Sequence, residues 1–510
     1  MGLNDFTFYD VIKRNAFCDP DRPAWFEVDD GRTFTFAQVK KKVDCVASGL
    51  QQAGIAKGDR LGVVGKNVFE YFLIYGAAAA LGAIVLPINW RLSSEEMVYN
   101  LNDCGPRIVF AGEEFQQTIK SFKDSLASVE KYYSLGAGTE GFPGFETLLM
   151  DGNAVQTEDV SRDDGFVIIH TAAVQGRPRG GLLSHENALC IDMHFGWLCN
   201  LTPRDVHLNV LPLFHVGGLF MTTASFHAGA LTVNMSKFDA ELAYELIVER
   251  NVSFMFDFSP ILSSILAVHE KKARDITSLT SVLGLETPEV IEQYQEMTGG
   301  TFYCLYGQTE TSGFATFCAY NEKPGSAGRM FPLADVALID DNDRSVERGE
   351  VGEITVRGPL VFKGYWNLPE DTSYAFRGGR HHTGDLGRFD DQGFLWYAGR
   401  KPEKELIKPG GENVYPAEVE KAILEHPLVE ETVVFGVPDP KWKEGIKAVC
   451  VLKPGEHLDE RELIEFVGER IARYKKPQYV AFVDDFPRLD DGKPNRAKIK
   501  ELYGGEQEAS

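Results

Sequence analysis

The chain has 510 residues, too many for one hydrophobic core, and a prior of about 150 residues per domain suggests roughly three packing units. Hydrophobic residues make up 44% and charged residues 25%, globular values that exclude wholesale disorder, collagen-like repeats and a membrane-embedded protein. With 52 Lys and Arg against 75 Asp and Glu the net charge is −23, an acidic surface that repels phosphate backbones and argues against nucleic-acid binding.

Met1–Asn15 lacks the apolar stretch of a secretory signal, and Phe6 stands where a myristoylation motif needs Ser or Thr. Gln38–Ala53 reads as an amphipathic helix, Arg60–Gly65 and Arg107–Ala111 as strands. Tyr71–Trp90 carries no charged side chain and approaches bilayer-spanning length. Its texture changes at Gly82, so it reads as a buried helix feeding a buried strand over Ala83–Ile88, closed by Pro87 and Asn89. Gly165–His170, His207–Leu211 and Ser253–Phe256 are further apolar runs, each followed by a loop and a helical pattern, which predicts α/β layers with largely parallel sheets. Val336–Gly358 shifts to a hairpin pattern. Lys401–Lys408 is mostly charged residues and proline, with little to bury, and reads as a linker. Beyond it a helix (Pro416–Glu425), strands (Glu431–Phe435, Lys447–Leu452), a helix (Asp459–Ala472) and a strand (Tyr479–Phe482) suffice for a small α+β domain, with a frayed tail. The eight cysteines are scattered, with no Cys-x-x-Cys and no Cys/His cluster, which fits a reducing cytoplasm.

Four stretches carry candidate chemistry. His170–Gly180 (HTAAVQGRPRG) offers backbone N–H groups and the guanidinium forks of Arg177 and Arg179 to a polyphosphate, between a strand and a helix opening at Ser184. Tyr306–Glu310 (YGQTE) follows a strand, where α/β sheets bind ligands; Glu310 suits Mg²⁺ and Thr309 a phosphate oxygen. Asp385, in a Thr-Gly-Asp turn, has two acceptor oxygens for a vicinal diol such as ribose. Lys493 follows Gly492 on a mobile-looking loop, where a lone lysine is usually a solvated charge. The same plain reading holds elsewhere. His194, His207, His227 and His269 show no paired carboxylate, Trp197 and Trp442 read as structural, and Glu113-Glu114 as a solvated pair.

Together with LGAIVLPINWRL (Leu81–Leu92), LPLFHVGGL (Leu211–Leu219), GEVGEITVRGPLVFKGYWN (Gly349–Asn367), GGENVYPAEVE (Gly410–Glu420), GVPDPKW (Gly436–Trp442) and Pro-x-x-x-x-Gly-Lys ending at Lys493, these motifs resemble the adenylate-forming superfamily over nearly the whole chain. The superfamily includes acyl-CoA synthetases, peptide-synthetase adenylation domains and firefly-type luciferases. The resemblance implies a large multi-sheet N-terminal AMP-binding domain (1–400), a hinge (401–408) and a small mobile α+β C-terminal domain (409–510). It implies that a carboxylate attacks the α-phosphate of MgATP, and that a thiol, usually coenzyme A, then displaces AMP as the C-terminal domain rotates. Glu310 is then the Mg²⁺ ligand, and Thr309 touches the α-phosphate. Tyr306 lies against adenine, with Gly307 and Gln308 in the same nucleotide site. Asp385 binds the ribose with Arg400. Lys493 bridges α-phosphate and carboxylate, supplying charge in the transition state. Lys404 matches a hinge position and Lys408 a later adenylate contact. Gly410 and Gly411 line the pantetheine path, and His215 gates the acyl pocket.

The phosphate loop departs from the family pattern. Thr171 and Gly176 are kept, but Ala172, Ala173, Val174 and Gln175 replace three hydroxyl positions and a glycine, and Arg179 replaces a lysine. Each lost hydroxyl contact costs about 1.5–3 kcal/mol, partly offset by Arg177 and Arg179. The adenine-side motif is Gly284-Leu285-Glu286-Thr287, which places Glu286 at the nucleotide and acyl walls. The leading expectation is a cytoplasmic acid–CoA ligase, monomer or homodimer, for a medium- or long-chain fatty acid, because Phe214, Val216 and Ile261 are apolar. The alternatives are an aromatic acid–CoA ligase, a carrier-loading enzyme, a luciferase-like oxygenase, and an adenylation-impaired relative or binding protein. Acetylation of Lys493 would remove its charge.

Overall fold

The computed structural model describes residues 2–150, 159–171, 177–401, 405–409, 412–440, 442–489 and 492–505. The chain divides into two compact units, one of Met1–Trp90, Asn100–His170 and Gly180–Gly399, the other of Arg91–Tyr99, Thr171–Arg179 and Arg400–Ser510.

Three of the four sheets among the described residues belong mainly to the first unit. The seven-stranded sheet runs Gly364–Tyr365, Arg179–Ser184, Gly165–Thr171, Ile84–Ile88, Arg60–Val64, Ile108–Ala111, Lys131–Ser134. The nine-stranded sheet centres on Thr301–Tyr306, Ser281–Leu285, Phe254–Phe258, Val206–Asn209 and Leu231–Asn234, which run parallel. Asp335–Ile339, Gly352–Arg357, His381–Phe389 and Leu395–Arg400 form the third sheet.

The apolar stretch after Val68 is a helix, Phe69–Leu81, followed by the strand Ile84–Ile88. It lies between the two large sheets: Phe72 stacks on Trp25 of one at 4.8 Å, and Tyr75 lies 5.8 Å from Phe166 of the other. Burial on every side accounts for the missing polar face, each large side chain contributing about 1.5–3 kcal/mol. Gly82 ends the helix at φ +66°, a left-handed cap that glycine adopts without steric cost. Among the described residues no helix is long and apolar enough to cross a membrane.

Several expectations are corrected. Pro87 does not close the strand Ile84–Ile88 but sits within it, opposite Val63. On its other side this strand meets Gly165–Thr171 through Val85 and Val167, and proline offers no N–H to carry the ladder further. His227 does have a carboxylate partner: Nδ1 lies 3.2 Å from Asp192 Oδ2, whose side chain is fully buried and whose Oδ1 accepts from Thr223 Oγ1 at 2.7 Å. The contact joins two packed helices, His185–Leu198 and Val216–Ala228, from residues 35 apart, so sequence spacing does not reveal it. His194 and His207 are buried as expected. Trp197, read as structural, is 69% exposed, and Trp442 is 41% exposed. Glu114 is exposed but pairs with Lys66 at 2.9 Å.

In the second unit, Val429–Asp439, Lys443–Leu452 and Tyr479–Val483 form a three-stranded sheet, packed with the helices Pro416–Leu424 and Glu460–Gly468. Ile407, inside the expected linker, is not solvated. It exchanges backbone hydrogen bonds of 2.8 and 2.9 Å with Val414, and both side chains are buried in the core. Lys404 lies outside the described residues.

Candidate active site

The strand Thr301–Tyr306 lies between the parallel strand Ser281–Leu285 and the antiparallel strand Thr316–Ala319, and its C-terminal end lies where α/β sheets gather ligand-binding groups. Gly307 follows under tight constraint: a Cβ there would lie 2.2 Å from the Gly313 carbonyl oxygen. A short 3₁₀ turn, Thr309–Thr311, then presents Glu310, which is 6% exposed, with Oε1 accepting from the Tyr365 hydroxyl at 2.9 Å. Gln308 N–H donates to Thr311 Oγ1 at 3.0 Å, closing the turn beneath Thr309.

Asp385 lies in a bulge of the strand His381–Phe389, not in a turn between elements. Its Oδ2 accepts from the Tyr306 hydroxyl at 2.8 Å and lies 3.4 Å from Gln308 Nε2. Gln308 Nε2 also lies 3.3 Å from the Thr383 carbonyl, and its Oε1 lies 3.3 Å from His381 Nε2. Burial, and then the Asp385 charge, raise the Tyr306 phenol well above its ordinary pKa, so it keeps its proton and donates. The structure thus joins Tyr306, Gln308 and Asp385 by hydrogen bonds and ties Glu310 to Tyr365.

Elsewhere in this unit His215 caps the helix Val216–Ala228, its carbonyl accepting from Leu219 N–H and its ring packing 4.5 Å from Phe214. Glu286 folds onto the start of the helix Pro288–Thr298, Oε1 accepting from Thr287 N–H at 2.9 Å, while Leu285 is 43% exposed. Gly284 cannot be enlarged: at φ +153° a Cβ would lie 1.9 Å from the Asp257 carbonyl oxygen.

In the second unit the Thr171 hydroxyl lies 3.4 Å from the Arg179 carbonyl, and the Arg177 guanidinium lies 5.6 Å from the Tyr99 ring centre. Ala172–Gly176, and hence Gly176 of the expected phosphate loop, lie outside the described residues. The loop runs from strand to strand, since Arg179–Ser184 is a strand and Ser184 caps the helix that follows. Arg400 ends the strand Leu395–Arg400, and Lys408 N–H donates to Glu444 Oε2 at 2.7 Å. Gly410 and Gly411 lie outside the described residues. Lys493 is exposed beside a turn in which Leu489 N–H donates to its carbonyl at 2.8 Å and Gly492 N–H to the Leu489 carbonyl at 2.9 Å.

Sequence reasoning missed Tyr365, Glu353 and His382, although a glutamate inside the apolar run GEITVR is itself a signal of a buried role. It also missed a Cys/His cluster. His170 Nε2 lies 3.0 Å from Asp103 Oδ2, which is 3.7 Å from Cys104 Sγ, although Cys104 and His170 are far apart in the chain.

This is a mixed α/β fold with large N-terminal sheets, a smaller C-terminal domain and buried polar side chains gathered after a strand end. Residues 12–366 match the AMP-binding enzyme family and residues 418–493 its C-terminal domain. The chain belongs to this adenylate-forming family. It is 35% identical to the indoleacetate–CoA ligase of Aromatoleum aromaticum, covering 96% of this chain and 97% of that one. It is 32% identical to a long-chain-fatty-acid–CoA ligase of Mycobacterium tuberculosis, covering 97% and 98%. Among solved structures it resembles a variant of the o-succinylbenzoate CoA synthetase of Bacillus subtilis with a TM-score of 0.87 at 27% identity, covering 98% of this chain and 99% of that one.

Proposed function

We propose that this protein is an AMP-forming acid–CoA ligase that converts an apolar carboxylic acid, ATP and coenzyme A into acyl-CoA, AMP and pyrophosphate. The observation that carries the reading is the Asp385 carboxylate, held in its strand bulge by Tyr306 and Gln308, with the buried Glu310 two residues beyond Gln308. Asp385 binds the ribose hydroxyls with Arg400, and Thr309 touches the α-phosphate. Thr171, Gly176, Arg177 and Arg179 meet the outer phosphates. Lys493 neutralises charge as the carboxylate oxygen bonds to phosphorus and pyrophosphate leaves. His215 gates the acyl pocket; Glu286 lies by the nucleotide, with Lys408 as a later adenylate contact and Gly410 and Gly411 along the thiol path.

Magnesium fits the donor set. Glu310 offers a buried carboxylate, and Mg²⁺ favours one or two carboxylates with phosphate oxygens and water. When bound it neutralises phosphate charge; Glu310 holds it, and Tyr365 holds Glu310.

The acid we propose is a medium- or long-chain fatty acid, supported by the apolar Phe214, Val216 and Ile261 and by the fatty-acid-named relative. An aryl acid is the second reading, supported by the indoleacetate-named relative. A non-adenylating role has less support, since Glu310, Asp385, Arg400 and Lys493 are all present. The test is AMP release with a panel of fatty, indolyl and benzoyl acids, with and without coenzyme A. CoA-dependent turnover of decanoate or dodecanoate above the aryl acids is the expected result. Absence of carboxylate-driven pyrophosphate–ATP exchange with every acid refutes the ligase reading.

A further inference from the structure

The strand carrying Asp385 is interrupted where the nucleotide reading needs it. Against Gly352–Arg357, Glu353 faces Leu386 and Thr355 faces His382, so Ile354 alone stands opposite Thr383, Gly384 and Asp385. Such a bulge takes residues off the ladder, and buried N–H groups there must find other partners. Gly384 adopts φ +70°, open to glycine at little cost. Its N–H donates to Glu353 Oε1 at 2.9 Å, the Thr383 hydroxyl donates to the Ile354 carbonyl at 2.6 Å, and Asp385 N–H donates to Thr383 Oγ1 at 3.1 Å.

Glu353 is an unusual residue for this place. Its side chain is 3% exposed, and a buried carboxylate is costly unless donors surround it. Here they do: Oε2 lies 3.3 Å from His382 Nδ1 and 3.4 Å from Arg377 Nη2, while His382 Nε2 faces the Arg377 carbonyl at 3.1 Å. A glutamine could accept on one side only, turning its NH₂ toward either Gly384 N–H or the His382–Arg377 pair.

We propose that Glu353, steadied by His382 and Arg377, is a positioning residue for nucleotide recognition. By fixing the Gly384 N–H from one side, it sets the direction in which the next residue, Asp385, presents its carboxylate to the ribose diol, while Tyr306 and Gln308 hold Oδ2 from the other. The inference rests on the ribose role of Asp385.

Isothermal titration of the full chain with AMP and with 2′,3′-dideoxy-AMP, for wild type and Glu353→Gln, tests it, alongside thermal unfolding. Wild type should favour AMP by about a hundredfold and Glu353→Gln by about tenfold, with dideoxy-AMP affinity unchanged, because only the diol contact is misdirected. A residue that merely supports folding would lower the melting temperature and leave the ratio alone; a ratio in Glu353→Gln within twofold of wild type overturns the proposal. If Glu353→Gln does not fold, Glu353→Asp, which keeps the charge one carbon short, is read by the same ratio and the same thresholds. If wild type binds AMP with no preference over the dideoxy analogue, the ribose role falls and this inference with it. If wild type binds AMP selectively and only the variant fails to respond, the positioning role alone falls.

Discussion

The Tyr306 hydroxyl donates to Asp385 Oδ2 at 2.8 Å, linking the end of a strand in the nine-stranded sheet to the bulge of the four-stranded sheet. The bond spans 79 residues of sequence and fixes one carboxylate oxygen. Tyr306→Phe removes a charge-assisted bond from a buried acceptor, and AMP affinity should fall about tenfold, or about 1.4 kcal/mol, in isothermal titration.

Gly307→Ala tests the turn. Its methyl would lie 2.2 Å from the Gly313 carbonyl oxygen, a backbone atom that cannot swing aside as a side chain can. The turn bearing Thr309 and Glu310 must shift, so pyrophosphate–ATP exchange should drop by about a hundredfold, a large loss for a site where displacements of about 1 Å matter.

For Lys493→Gln the expected outcome is selective. If this exposed lysine supplies charge only as the adenylate forms, exchange should fall by about two to three orders of magnitude while AMP affinity stays within twofold of wild type. Equal losses in both measurements would make it a binding residue instead.

His227→Ala should destabilise the first unit. It strips the imidazole from Asp192, whose side chain is fully buried, leaving Thr223 as its other partner. Removing one member of such a pair costs about 3–5 kcal/mol when burial is complete, and His227 is itself 15% exposed, so a loss of about 2–3 kcal/mol is expected in denaturant unfolding.

Acid should unfold the protein through three buried histidines. Burial pushes His185 and His194 down to about 4 and His207 down to about 3. His185 has neither ring nitrogen hydrogen-bonded, and burial outweighs the pull of Asp164 and Asp10 on its charged form, while His207 stacks on Phe254 at 4.8 Å. Because these values lie below the unfolded one, the stability they contribute is complete above about 6.5 and is lost as pH falls through 4 and then 3. Glu27, pushed up to about 7 by burial, acts oppositely, its contribution present below about 4.5 and lost as pH rises through 7. His426, also lowered by burial, acts with these three, and Asp192, raised by burial, acts with Glu27. The histidines outnumber the carboxyls, so unfolding free energy should fall between pH 6.5 and 4, and His207→Phe should flatten that fall. An unchanged slope in that variant contradicts the assignment.

The residue pattern made some of this legible and hid the rest for definite reasons. The long helix and strand around Gly82 announce themselves because complete burial leaves an unbroken apolar run. The strand Arg179–Ser184 does not, since RGGLLS has two glycines and no β-branched residue to mark it as extended. The Thr-Gly-Asp sequence shows a flexible glycine and an acceptor but not the bulge, which exists only in register with Glu353. Ile407 looks like one apolar residue in a charged run until Val414 pairs with it. The His227–Asp192 and His170–Asp103 pairs depend on helix and strand packing that spacing does not encode.

Pro87 leaves the sheet unbroken toward Arg60–Val64 and withholds a donor only on the side of Gly165–Thr171. Because the strand it occupies meets its neighbour through Val85 and Val167, the neighbouring strand's last residues, Ile169 to Thr171, continue past the end of that ladder. A proline in the interior thus cuts a notch into the sheet at the root of the segment expected to meet the outer phosphates, and an ordinary donor at position 87 would tend to zip that notch shut.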